Sequence, residues 1–215
     1  MKLLFLPTIL ALGWVIHHNV KKNKGKYKET VSSYLSREEK ANFTRRKDIS
    51  NLPYIQVPLD TLPLDITLKD TNMQSKIEEF QKIITDLAGK KMLNLIGISN
   101  TELKEQYGPA NLDQLSICDQ NYGKYIRILS LMADCLITEN EKAAVDISEY
   151  CIRIGTDISS TYSLLGTYYK KHERYDDFEN LYHAIPDKES IAGKVILKKL
   201  NEIKESESPE TANTI

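Results

Sequence analysis

Apolar side chains recur at helical spacing through most of the second half of this 215-residue chain, and no other feature restricts its fold as tightly. From residue 119, Tyr122, Tyr125, Ile126, Leu129, Met132, Ala133 and Leu136 fall on one face of a 3.6-residue period. Asn140 opens a second helix that aligns Ala144, Ile147, Cys151 and Ile154, and Gly155-Thr156-Asp157 ends it ahead of a cap near Ser159. A third helix carries Tyr162, Leu165, Gly166 and Tyr169. After a break at Lys171–Arg174, a fourth carries Tyr175, Phe178, Leu181, Tyr182 and Ile185 and closes at Pro186. A fifth, over about 188–203, is expected to bury Ile191, Val195, Ile196, Leu200 and Ile203. Upstream, Ile77, Phe80, Ile83, Ile84 and Leu87 share a face of a helix over 72–88, capped by Asn72 or Thr71. Residues 92–99 read as a short strand or a buried turn. Ser99 and Glu102 form a Ser-x-x-Glu capping box, which predicts a short helix to about Gln106 before Gly108-Pro109. Helices that each bury one stripe must pack on one another, so residues 71–203 read as one mainly α-helical domain.

The front of the chain reads differently. Residues 3–16, LLFLPTILALGWVI, carry no charge, and with His17 to Val20 the stretch is just long enough to span a bilayer. Trp14 stands where an interfacial anchor would. Lys21, Lys22, Lys24, Lys26 and Lys28 follow, and no small-residue cleavage site does. Residues 1–20 are therefore expected to be a single transmembrane anchor contacting the bilayer through 3–20. The lysines would lie at the membrane surface, with the N-terminus outside and the C-terminal domain cytoplasmic. The alternative is a signal peptide and a secreted product. Residues 21–47 carry ten Lys or Arg against three Glu, a net +7, whereas 48–215 carry -9. The basic stretch, with Val31, Tyr34, Leu35 and Phe43 as its main apolar groups, reads as a helical juxtamembrane stalk. It lacks the aromatic platform or motif of a nucleic-acid binder, so no nucleic-acid partner is expected.

Residues 48–70 hold Pro53, Pro58 and Pro63, each of which biases its predecessor toward extended backbone. Tyr54, Ile55, Val57, Leu59, Leu62 and Leu64 lie among them, too apolar for a free linker. This stretch is expected to be an extended strap packed on the helical domain. The polar residues 204–215 read as a disordered tail.

Paired helices with short breaks suggest a helical repeat. Residues 162–185 resemble the tetratricopeptide repeat: Tyr162 stands at the first aromatic position, Leu165-Gly166 at the Leu-Gly step and Tyr169 at the following Tyr. Tyr175 and Tyr182 match later aromatic positions. Phe178 and Ile185 depart from the pattern, each at a place where Ala is preferred. The preceding helix pair fits through Ala144 and Cys151, with Met132 in place of Gly. The resemblance covers one fair and one degenerate repeat, about residues 125–186. It implies helical hairpins whose concave surface binds a peptide or a partner protein. It also marks Tyr162, Leu165, Gly166, Tyr169, Lys170, Arg174, Tyr175 and Tyr182 as partner-binding or repeat-packing positions. Family grooves that hold a peptide carboxylate use Lys, Arg and Asn on first helices. Lys170, Lys171 and Arg174 lie near the end of one, without matching particular ligand positions.

Nothing in the residue pattern points to catalysis. His17, His18, His172 and His183 have no carboxylates or cysteines at metal-ligand spacing. Gly89-Lys90 lacks the rest of a phosphate loop. Cys118, Cys135 and Cys151 are odd in number, with no C-x-x-C pair, which argues against a disulfide framework or a zinc site. No cofactor or metal is expected. The expected function is a membrane-anchored, cytoplasm-facing interaction adaptor. The alternatives are a structural or assembly subunit of a membrane complex, or an enzyme whose site is assembled from distant residues around Asn94, Asn100 and Tyr107.

Overall fold

The computed structural model describes residues 30–206, which are mainly α-helical and contain no strand. The chain forms two compact units.

The described part of the first unit comprises residues 30–48 and 99–112. It holds helix α1 (residues 30–42), α3 (Asn100–Tyr107) and the 3-10 turn Pro109–Asn111. The capping box predicted for α3 is complete: Ser99 Oγ accepts from Glu102 N, and Glu102 Oε2 accepts from Ser99 N at 2.8 Å. Charge-assisted bonds pin α1 to α3. The Arg37 guanidinium binds Glu105 bidentately at 2.7 Å, and Glu38 takes both Thr101 Oγ1 and the Lys104 ammonium. These bonds hold the Glu38 and Glu105 carboxyls below the ordinary range.

The second unit comprises residues 49–98 and the chain from Asp113 onward. It contains α2 (Thr71–Ala88), all but the first residue of α4 (Leu112–Leu136), α5 (Glu141–Arg153), α6 (Ser159–Lys171), α7 (Tyr175–His183) and α8 (Ile191–Glu205). The cap of α2 is Asp70 rather than Asn72 or Thr71, because its carboxylate accepts from both Asn72 N and Met73 N. Residues 49–70 form no regular element. They run along the helices with Leu62, Ile66 and Leu68 buried against Tyr125, Leu129, Met132 and Ile147. A second cluster joins Val145, Tyr162, Leu165, Tyr169, Phe178, Leu181, Ile196 and Leu200, and so locks α5, α7 and α8 around α6.

Buried tyrosines tie the elements together at their polar ends. Tyr125 Oη meets Tyr150 Oη at 3.3 Å, and Tyr150 Oη reaches the strap at Gln56 O. Asn94, in the non-helical stretch 91–98, places its amide within bonding distance of Tyr122 Oη, Ile154 O and Gly155 O, and its Oδ1 accepts from Ile96 N. That stretch is therefore a buried turn, not a strand. Burial alone pushes the Cys151 thiol up to about 12, as suits a small core hydrophobe.

One buried group stands apart. Ser148 on α5 is fully buried, and its hydroxyl has no hydrogen-bond partner among the described residues. An unmade buried bond costs more than a made one returns, so Ser148→Ala is expected to raise stability by up to about 1 kcal/mol, read from chemical denaturation midpoints.

Several expectations need correction. The expected transmembrane helix is not supported: among the described residues no helix is long and apolar enough to cross a membrane. The longest, α4, carries five charged side chains, and the segment 3–20 lies outside the described residues. The fold class is thus mainly α-helical without a demonstrated span, and the single-pass placement with a cytoplasmic domain falls with it. Lys21, Lys22, Lys24, Lys26 and Lys28, assigned to a membrane surface, also lie outside the described residues, as does the expected tail from 207 onward, whereas its first two residues, 204 and 205, belong to α8. On α8, Ile191 and Val195 are not buried; they are 87% and 42% exposed, because only the opposite side of the helix packs against α6.

Candidate functional site

The buried and open sides of α6 divide its sequence cleanly. Thr161, Tyr162, Leu165, Gly166 and Tyr169 face the core. The complementary stripe, Ser160, Ser163, Leu164, Thr167, Tyr168 and Lys171, forms the floor of an open groove of about 480 Å³. Asp134 and Ile137 at the end of α4, with Glu141 at the start of α5, form one wall, and Lys199 of α8 forms the other.

Local bonds set this geometry. On the α4 side, Ser130 Oγ and Ser160 Oγ lie 3.0 Å apart, and Thr161 Oγ1 donates to Ser130 Oγ at 3.1 Å. On the α8 side, Lys199 Nζ donates to Ser159 Oγ at 3.1 Å. Gly166 lets α8 and α7 approach: a Cβ there would lie 3.2 Å from Leu200 Cδ2 and 3.3 Å from Phe178 Cε2. The large Phe178 at a place expected to hold Ala is thus matched by the missing side chain opposite it. α6 consequently lies between α4 and α8, with one clean face turned outward.

The groove has charged ends and a less polar middle. At one end Glu141 accepts from Lys171 Nζ at 2.8 Å and stands 3.7 Å from His172 Nε2, and the Lys171 hydrogen bond above all holds its carboxyl below the ordinary range. At the other end Asp134 lies near Ser160 and Lys199. Partial burial raises its carboxyl above the ordinary range despite those two groups. Ile137, Leu164 and Tyr168 lie between.

The residues singled out from the sequence occupy mostly structural places. Tyr162 is fully buried, with its hydroxyl 3.0 Å from both Thr156 O and Ala184 O. Leu165 and Gly166 are core. Tyr169 donates to Glu149 Oε1 at 2.9 Å. Lys170 donates to the last carbonyls of α8, including Ile203 O at 2.7 Å, and so caps that helix. Arg174 binds Asp177 at 2.6 Å, reaches Glu149 at 3.5 Å and lies 4.6 Å over the Tyr169 ring. Tyr182 donates to Asn201. Tyr175 is 61% exposed on α7 and takes no part in the groove. Of the cationic candidates, Lys171 alone lines it. Ser160, Ser163, Thr167 and Lys199 were not anticipated. The one signal that could have found the three on α6 is the polar complement of the Tyr162–Leu165–Tyr169 stripe, and none points to Lys199.

A second cleft, of about 560 Å³, lies between the strap (Pro53 to Pro63) and α5, where Asp146, Glu149 and Arg153 meet it. Two of those charges are taken: Asp146 pairs with Lys142, and Glu149 with Tyr169 and Arg174. Among the described residues no group of three or more His, Cys, Asp or Glu is placed to hold a metal ion. No known protein family, curated protein or solved structure matches this chain.

Proposed function

We propose that this protein is an interaction adaptor whose helical unit holds a segment of a partner polypeptide along the groove of α4, α6 and α8. One observation carries the reading. Six positions on α6 over three turns, from Ser160 to Lys171, line a single open channel, while the opposite face is fixed in the core. The stripe runs roughly 16 Å, which accommodates about five residues of extended chain. Its hydroxyls and the Leu164–Tyr168 patch offer both hydrogen bonds and apolar contact, the mixture found in polypeptide interfaces. The one-fair-repeat resemblance to tetratricopeptide hairpins supports the same reading, since first helices line the binding surface in that family.

A photoreactive amino acid placed at Thr167 of the full-length chain, expressed in its native cells, should give a discrete adduct with one protein on illumination. The same group at Tyr175, exposed on α7, should not. If both positions give the same adducts, or neither gives any, the groove is not a partner site.

A further inference from the structure

The charge of the helical unit is unevenly divided. The helices that build the groove, α4, α6 and α8, carry eight Lys or Arg against five Asp or Glu, a net +3. Their companions α5 and α7 carry six acids against two bases, a net -4. This basic row belongs to a stretch of chain, 48–215, whose net charge is -9.

The individual cations sharpen the point. Five of the eight are occupied: Lys170 by the carbonyls at the end of α8, Lys171 by Glu141, Lys194 by Glu189, Lys198 by Glu202 and Lys204 by Glu179. Lys124 and Arg127 have no acid within 4.0 Å among the described residues; nor does Lys199, whose ammonium donates to Ser159 Oγ and acts on Asp134 through space. Lys124 and Arg127 lie outside the groove lining, on the exposed face of α4 that continues from Asp134, and Lys199 stands across the groove on α8. Two exposed apolar side chains accompany them: Leu131, 44% exposed and one turn beyond Arg127, and Val195, one turn before Lys199. Of the five acids of the row, Asp119 accepts from Leu95 N and Glu202 is paired with Lys198; Asp134 lines the groove near Lys199, and Glu141 of α5, the other acid of the lining, is paired with Lys171.

We propose that the occupant of the groove is an acidic polypeptide segment that also carries apolar side chains. Its carboxylates meet Lys124, Arg127 and Lys199, and its apolar groups cover Leu131 and Val195. The inference rests on the reading of the groove as a partner site and names the chemistry of the partner. Charges of this kind govern encounter and partner choice more than total affinity, and salt screens them.

The test uses the full-length chain and two fluorescent decapeptides, one of two Glu-Leu-Glu-Glu-Leu repeats and one with Lys in place of Glu, followed by fluorescence anisotropy. The acidic peptide should bind more tightly than the basic one by about tenfold or more and weaken as salt rises from about 50 to about 500 mM. The triple variant Lys124→Glu, Arg127→Glu, Lys199→Glu should lose that preference or invert it. A second triple variant with Gln at the three positions should lose it without inversion, with both variants checked for an unchanged circular dichroism spectrum. Equal affinity for the two peptides, or a preference that survives both variants, overturns the proposal. Absence of peptide binding overturns it too; if the Thr167 adduct is still obtained, the groove remains a partner site for other chemistry, and if that also fails both readings fall. Self-association of the chain that is abolished by the same variants would make a second copy the occupant, and so also overturns it.

Discussion

Gly155→Ala is expected to cost the helical unit about 2–5 kcal/mol. Two independent penalties combine. Gly155 follows α5 with φ +83°, in the left-handed region where an L side chain costs about 1–2 kcal/mol. A Cβ there would also lie 2.6 Å from Asn94 Nδ2. The Asn94 side chain has no room to yield, because it is held by Tyr122 Oη, Ile154 O and Ile96 N at 3.0–3.1 Å. Displacing it leaves buried polar groups unpaired, at about 1–3 kcal/mol. Gly89→Ala is the control. Its φ is -82° and a Cβ there meets nothing within 4 Å, so the change should lie within about 0.5 kcal/mol of zero. Urea denaturation of the two variants beside the parent chain checks the pair, and equal midpoints would show that the Asn94 clamp does not hold the α5–α6 connection.

Tyr162→Ala should cost about 3–5 kcal/mol, whereas Tyr162→Phe should cost about 1–2 kcal/mol. The ring is fully buried in the cluster formed by α5, α6, α7 and α8, so truncation opens a cavity where four helices meet. The hydroxyl reaches two carbonyls, Thr156 O before α6 and Ala184 O after α7, and Phe would leave both without this donor. Against the total stability of a typical domain, about 5–15 kcal/mol, the Ala variant gives up a large share and the Phe variant a small one. Thermal unfolding followed by circular dichroism separates them. If both variants melt with the parent chain, Tyr162 is not the packing keystone that its burial implies.

The helices were legible in the sequence because each carries its own instruction. Periodic apolar residues, the Ser99–Glu102 box, Asn140 at the start of α5 and Gly155 after it are local signals, and the structure follows them closely. The strap was legible for a different reason: prolines keep residues 53–63 out of helices while Leu62 and its neighbours demand cover. The errors lie where a local pattern depends on a distant neighbour. Ile191 and Val195 have the spacing of a buried stripe, but α8 is packed on one side, so the same spacing is left exposed. Asn94, named with Asn100 and Tyr107 for an assembled site, serves as a clamp on residues 154–155, a role that depends on chain 60 residues away. The groove itself could not be read in advance. Its walls come from residues 134–141 and 199 and its floor from 160–171, and their meeting is decided by tertiary packing around Gly166. The most apolar stretch, 3–16, gave the firmest expectation and lies outside the described residues.

Hydrogen–deuterium exchange on the full-length chain, alone and with the protein recovered through Thr167, tests the groove most directly. Partner binding should slow exchange in 160–171 and in the adjoining 191–199 and leave 175–183 unchanged. Protection confined to 175–183 or to the strap at 53–63, with α6 unaffected, would contradict the account.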